Sequence, residues 1–115
     1  MYSLLIGRFQ PFHKGHKAII DKLLDEGKNV CVAVMDTAYD PDRNPYLLMD
    51  RMRWIAETYV STDRVKIISI PQINEAVYGR DVGYDIREVR FESDIEEISG
   101  TKIREEEESW KSSVQ

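Results

Sequence analysis

Apolar positions along the chain follow two rhythms. Short continuous runs occupy Tyr2–Ile6, Asn29–Met35 and Arg64–Ile70. The second run is continuous and rich in β-branched valine, as expected of a strand covered on both faces, and the first reads as a buried strand. Between the runs the spacing changes. From His16 to Leu24, Ala18, Ile19, Ile20, Leu23 and Leu24 fall on one helical face, with Gly27 just past the end. From Tyr46 to Tyr59, Leu48, Met52, Ile55 and Ala56 share one side, while Asp50, Arg51, Arg53 and Glu57 lie elsewhere. Glu75–Tyr78 and Ile86–Phe91 are weaker candidates for a fourth and fifth strand. Ser99–Glu108 reads as a last helix and Ser109–Gln115 as a frayed tail. Strand alternating with helix predicts an α/β fold: a parallel sheet of about five strands, joined by right-handed crossovers, with helices on both faces. Residues 1–108 form the single expected domain.

Length and composition narrow the classes. A chain of 115 residues, 42% hydrophobic and 32% charged, has the balance of one globular domain. It is far too short for an eightfold βα barrel, which needs about 250 residues. The longest apolar run, Val30–Met35, falls well below the roughly 18 residues of a membrane span. The N-terminus lacks a basic start and reaches Gly7-Arg8 at once, so no secretion signal is read there. Cys31 is the sole cysteine, which leaves no internal disulfide and no cysteine metal cluster. These features predict a soluble, cytoplasmic protein.

The formal net charge is -5, and it is unevenly spread. Residues 1–60 carry eight basic and eight acidic side chains, whereas residues 61–115 carry eight basic and thirteen acidic. An acidic surplus argues against a nucleic-acid partner, which calls for a basic surface. The first half nevertheless gathers cations in one place. Gly7-Arg8-Phe9-Gln10-Pro11-Phe12-His13-Lys14-Gly15-His16 sets two His, one Lys, one Arg and two Gly at a strand-to-helix junction. In parallel sheets ligands bind beyond the C-terminal strand ends, where this loop falls. A helix N-terminus offers N–H groups and the positive end of a dipole to an anion. His13 and His16, three apart, share a face of the first turn. Zinc is the rival use of two histidines, but the chain holds no third His and no cysteine cluster to complete a site. Neither common Gly-rich nucleotide loop is present. A second grouping, Ile98-Ser99-Gly100-Thr101-Lys102-Ile103-Arg104, offers hydroxyls and cations at the start of the last helix, where Ser99 or Thr101 could equally serve as a cap.

His13-Lys14-Gly15-His16 has the H-x-G-H form, and Ile98–Arg104 the I-S-x-T-x-x-R form, of the cytidylyltransferase-like nucleotidyltransferase superfamily, which this chain resembles. The Gly7–His16 string is similar to that of archaeal-type nicotinamide-nucleotide adenylyltransferases. So are Asn44-Pro45-Tyr46 with the following Asp50-Arg51, and Ile70-Pro71-Gln72-Ile73. Those enzymes are longer between the third strand and the last helix and carry a tryptophan there, absent from residues 71–97 of this chain. The short length and the ending Ile98–Glu106 look more like glycerol-3-phosphate cytidylyltransferases, whose first loop, however, reads G-T-F-D. The resemblance implies a Rossmann-like fold. It also implies transfer of a nucleoside monophosphate, AMP in preference, from an NTP to a phosphorylated small molecule with release of pyrophosphate. Nicotinamide mononucleotide is one such acceptor. Cytidylyl transfer to glycerol 3-phosphate, or a catalytically silent nucleotide-binding module, are the other readings.

The resemblance assigns roles by residue. His13, His16, Lys14 and Arg104 would serve catalysis. Gly7, Arg8, Phe9, Gly15, Gly79, Asp81, Ser99 and Thr101 would line the nucleotide, and Asp36, Arg43 and Arg51 the acceptor. The bland alternatives are a solvated helix face for Arg51, a solvated loop for Arg43 and a hairpin turn at Gly79-Arg80-Asp81. Mg²⁺ is expected, bound mainly through the NTP phosphates, with no metal held by protein ligands alone. Exposed sheet edges and apolar helix residues such as Met49, Met52 and Trp54 suggest a homodimer or larger homo-oligomer.

Overall fold

The computed structural model describes residues 1–80, 83 and 85–89. In order they form β1 (Tyr2–Gly7), α1 (Lys14–Asp25), β2 (Asn29–Asp36), α2 (Leu48–Thr58) and β3 (Val65–Pro71). The three strands make one parallel sheet in the order β1-β2-β3, with Leu5 beside Val32 and Val32 beside Ile67. The α/β reading therefore holds, and five expected elements appear within two residues of their expected bounds. The loops that follow β1 and β2 leave the same edge of the sheet, because the strands are parallel.

The core forms where alternate β2 residues meet both helices. Val30, Val32 and Val34 point to one face and are fully buried; Ile20 and Leu23 of α1 and Ile55 of α2 join them in one cluster. Two crossovers stepping the same way along a sheet put both helices on that face. The expected helix over Ser99–Glu108 lies outside the described residues, and any test of a second helical layer lies there too.

Several expectations are corrected. β1 is not the buried strand expected: its residues alternate between exposed and half-buried, and Leu4 keeps 60% of its surface. An apolar run records the residues available for burial, not whether a strand has neighbours on both sides; among the described strands only β2 does. Glu75–Tyr78 forms no strand, and neither do residues 86–89; both stretches are irregular, and most of their residues are exposed. Ala56, expected on the inner face of α2, is exposed, whereas Arg51 and Tyr59 are buried. Of the three residues offered for an interface, Met52 packs on the core and Trp54 stands edge-on to Tyr46 with ring centroids 5.2 Å apart. Only Met49 is left largely exposed.

Polar ties fasten the base of the sheet. Arg64 donates through Nη2 to the carbonyls of Leu24 at 2.8 Å and Lys28 at 2.6 Å, joining the end of α1 to the start of β3. Gly27, at φ 81°, supplies the left-handed turn after α1 that side-chain-bearing residues avoid. Arg87 grips Glu26 through both guanidinium nitrogens at 2.7 and 2.6 Å, and with Lys28 it holds that carboxyl down to about 2.

Ile55 sits at the centre of the cluster with no exposed surface. Ile55→Ala should cost about 2–5 kcal/mol of stability, a large share of a typical domain's total. Met49→Ala, on the same helix but exposed, should stay within about 0.5 kcal/mol. Urea denaturation of the two variants checks the contrast.

Candidate functional site

Helix α1 begins with its two histidines bonded to each other's turn. His13 is the N-cap, with extended backbone (φ -135°, ψ 179°), and its Nδ1 accepts from Gly15 N–H at 3.1 Å. His16 Nδ1 in turn accepts from His13 N–H at 3.2 Å. Caps are usually Ser, Thr, Asp or Asn, whose oxygens take the free amides of the first turn. Imidazole does the same here with Nδ1. A neutral imidazole has one donor and one acceptor nitrogen. With both Nδ1 atoms accepting, each ring keeps its proton on Nε2, which remains a donor. The rings stack, their centroids 3.7 Å apart and planes 19° from parallel.

Aromatic side chains support this pair from behind. Phe9 meets His16 edge-on with centroids 4.6 Å apart, and Phe12 stacks on it at 6.0 Å. Phe12 also touches Tyr59, whose hydroxyl donates to Asp21 Oδ1 at 2.9 Å. Burial, followed by that carboxylate, pushes the Tyr59 hydroxyl well above its ordinary range. Burial lowers His13 and drives His16 from 6.5 to about 3, the nearby His13 adding to the effect. Both imidazoles are therefore neutral near pH 7.

Phe9 is 2% exposed and its ring belongs to the core, so any part it takes in holding a nucleotide falls to its main chain and to the shape it gives the loop. Its φ of 52° lies in the left-handed region, which costs a non-glycine residue about 1–2 kcal/mol. Burying the ring offsets that cost. Gly7 is explained by the same ring: a Cβ there would meet Phe9 Cζ at 3.0 Å. Its glycine makes room for Phe9.

A second loop closes over the first. Asp40 and Asn44 pair through their main chains at 3.1 and 2.9 Å, and Asp40 Oδ1 accepts from the amides of Asp42 and Arg43. Those amides keep the Asp40 carboxyl below its ordinary value. Arg8 Nη1 reaches Asn44 Oδ1 at 3.2 Å. Gln10, 3% exposed, donates to Thr37 Oγ1 at 3.3 Å and to Tyr46 O at 3.1 Å, and accepts from Tyr46 N–H at 3.0 Å.

Arg51 does not line a solvated helix face. It is 1% exposed and donates to three carbonyls: Arg8 O at 2.7 Å, Met35 O at 2.8 Å and Tyr46 O at 3.0 Å. Desolvation lowers its pKa, and Asp36 partly opposes this. The structure thus gives Arg51 a tethering task that the sequence reading did not anticipate. Neither Gln10 nor Thr37 was assigned a role from the sequence. Their one signal was a polar residue held between Phe9 and Pro11 in an otherwise apolar stretch.

The remaining residues divide in two. Arg8, Lys14, Asp36 and Arg43 are exposed at the edge shared by both loops, and Gly15 is the second residue of α1. Gly79 lies in the exposed irregular stretch after β3, and residues 75–78 directly before it form no strand. Asp81, Ser99, Thr101 and Arg104 lie outside the described residues. Among the described residues no group of three or more His, Cys, Asp or Glu could hold a metal ion, and no helix is long and apolar enough to cross a membrane.

The arrangement defines a class: an α/β sheet with paired histidines at the first helix start. The cytidylyltransferase-like family profile matches residues 4–76, more than half of the chain, and the chain belongs to this family. It is 37% identical over 57 residues to a nicotinamide-nucleotide adenylyltransferase of Thermoplasma acidophilum, covering 49% of this chain and 32% of that protein. A protein of the same name from Methanocorpusculum labreanum is 40% identical over 54 residues, 46% and 32% of the two chains. One from Methanococcus maripaludis is 34% identical over 79 residues, 68% and 45% of the two. The chain thus spans between a third and a half of the length of these relatives.

The neutral histidines link stability to pH. The folded chain resists protonating His16 until about pH 3, whereas the unfolded chain takes that proton near 6.5. The unfolded state therefore binds more protons between these values, and stability rises with pH. The contribution is complete above about 6.5 and lost as pH falls toward 3. Glu26 acts in the same direction only below its ordinary 4.5. Urea midpoints should fall between about pH 7 and about pH 5, and His16→Gln should flatten that slope.

Proposed function

We propose that the chain carries the nucleotide-activating part of a nucleotidyltransferase that moves AMP from ATP to a phosphorylated small molecule. Nicotinamide mononucleotide is the favoured acceptor. The observation that supports this reading most is the reciprocal cap, which turns two half-buried, neutral imidazoles into fixed Nε2–H donors beside a helix N-terminus. The names of the matched relatives, nicotinamide-nucleotide adenylyltransferases, support the choice of acceptor.

An acceptor phosphate oxygen attacks the α-phosphorus in line, and the bond from that phosphorus to the bridging oxygen breaks. Pyrophosphate leaves with the electron pair. No proton needs to be removed from a phosphate oxygen already ionised, so the protein's part is alignment and stabilisation of charge. His13 and His16 donate to the α-phosphate and the departing oxygen. As charge grows there, the imidazoles become easier to protonate, which strengthens the bonds where they are needed. The α1 dipole adds to the same field. Arg8 and Lys14 are exposed at that edge for the phosphate chain, while Asp36 and Arg43 face the acceptor from the second loop. Ser99, Thr101 and Arg104 would hold the outer phosphates. The residues suit a Mg²⁺ ion carried in on the triphosphate, since such an ion needs few protein ligands. The protein would work in the cytoplasm, as a homo-oligomer.

Pyrophosphate release tests the proposal, with ATP or CTP offered alongside nicotinamide mononucleotide or glycerol 3-phosphate. Release with ATP and nicotinamide mononucleotide is expected. Release with CTP and glycerol 3-phosphate alone would move the assignment to cytidylyl transfer. Nucleotide binding without release would leave a silent binding module. His16→Ala should lower turnover about 10²-fold or more while the chain stays folded; near-normal turnover would remove His16 from the mechanism.

A further inference from the structure

We propose that Gln10, acting with Arg51, is a positioning residue for the acceptor: by holding the main chain of Tyr46 it fixes loop 36–47 against His13 and His16. This rests on the transfer reading above. Gln10 stands three residues before His13, and its buried amide engages both main-chain polar groups of Tyr46, as a neighbouring strand would. The same amide reaches Thr37, at the other end of the loop. Tyr46 O accepts a second bond from Arg51, which also ties down Arg8 O and Met35 O. Two buried side chains thus span the first loop, the end of β2 and both ends of the second loop. None of their described bonds leads to solvent. Arg43 rides on the loop so held and Asp36 ends the strand that leads into it, the two residues assigned to the acceptor beside Arg51 itself.

In-line transfer depends steeply on the alignment of the two substrates. Loosening loop 36–47 should therefore weaken use of the acceptor more than of ATP, whose contacts lie on the first loop and α1. Gln10→Met keeps the length of the side chain and removes the bonds described to Thr37 and Tyr46. Arg64→Gln is the control, since Arg64 also clamps two carbonyls but at the opposite end of the sheet.

With Gln10→Met, KM for nicotinamide mononucleotide should rise about tenfold while KM for ATP stays within about twofold. Arg64→Gln should lower the melting temperature and leave both KM values in place. Equal changes in the two KM values, no change, or the same split in Arg64→Gln would overturn the proposal. Trp54, packed on Tyr46, supplies a readout that needs no turnover. In a Trp110→Phe background its emission should shift on Gln10→Met, and the Tyr46 amide should exchange faster with deuterium. If the unaltered chain transfers nothing, the function reading fails by itself, and these two signals decide the clamp: their absence overturns it. Should Gln10→Met not fold, Arg51→Lys takes its place, keeping the charge but only part of the fork, with an intermediate shift expected in each readout.

Discussion

The guanidinium of Arg51 lies with almost none of its surface in water and donates to carbonyls drawn from three separate stretches of chain. A buried charge is costly unless its hydrogen-bonding capacity is met, and bonds from a charged donor are stronger than neutral ones. The arrangement therefore has few alternatives. If any of the three carbonyls moves away, the remaining donors face a low-dielectric interior. The first loop, the end of β2 and the approach to α2 are consequently held in one geometry. Gln10 extends the constraint to Thr37 without adding charge. A lysine could keep the positive charge, but not the planar fork that reaches several acceptors at once.

On this fixed base the histidines serve two purposes with two atoms. Nδ1 does the structural work of starting α1, which leaves Nε2 outside the cap. Ordering the rings for one purpose orders them for the other. A serine cap would start the helix equally well but leave no donor in reserve. Burial against Phe9 and Phe12 keeps the rings neutral. That neutrality also protects the cap: protonating an Nδ1 would replace an acceptor with a donor aimed at an amide. The left-handed Phe9 and the glycine beneath it belong to the same packing. A left-handed residue in the middle of a loop is thus anchored in the core.

The elements were legible because hydrophobic period is a local property. Ile20 and Leu23, or Ile55 and Met52, declare a helical face within a few residues. Strand burial was less legible, since Leu4 and Val32 look alike until neighbours are assigned. Glu75–Tyr78 has apolar residues but no described strand beside it. The histidines were readable from type and spacing, whereas the tasks of Gln10 and Arg51 were not. Their partners lie as far as 36 and 43 positions away, and most are main-chain atoms, which have no signature in side-chain sequence. An arginine on an amphipathic helix reads as solvated unless the three-dimensional partners are known.

The fate of Arg51 also changes how the charge of the first half is understood. Net neutrality there suggested a set of cations free to meet phosphate. One of them is consumed inside the fold by carbonyls, and Arg8 already shares Asn44. Under the proposed reaction, phosphate recognition on this edge leans less on stacked positive side chains and more on fixed dipoles: the start of α1 and two neutral imidazole donors. Fixed dipoles attract a passing anion weakly at a distance but need no reorganisation when charge develops beside them. Mobile cations attract early and then lose side-chain freedom on binding. A site built from both can draw the triphosphate through Lys14 and Arg8, and reserve its strongest stabilisation for the moment of transfer.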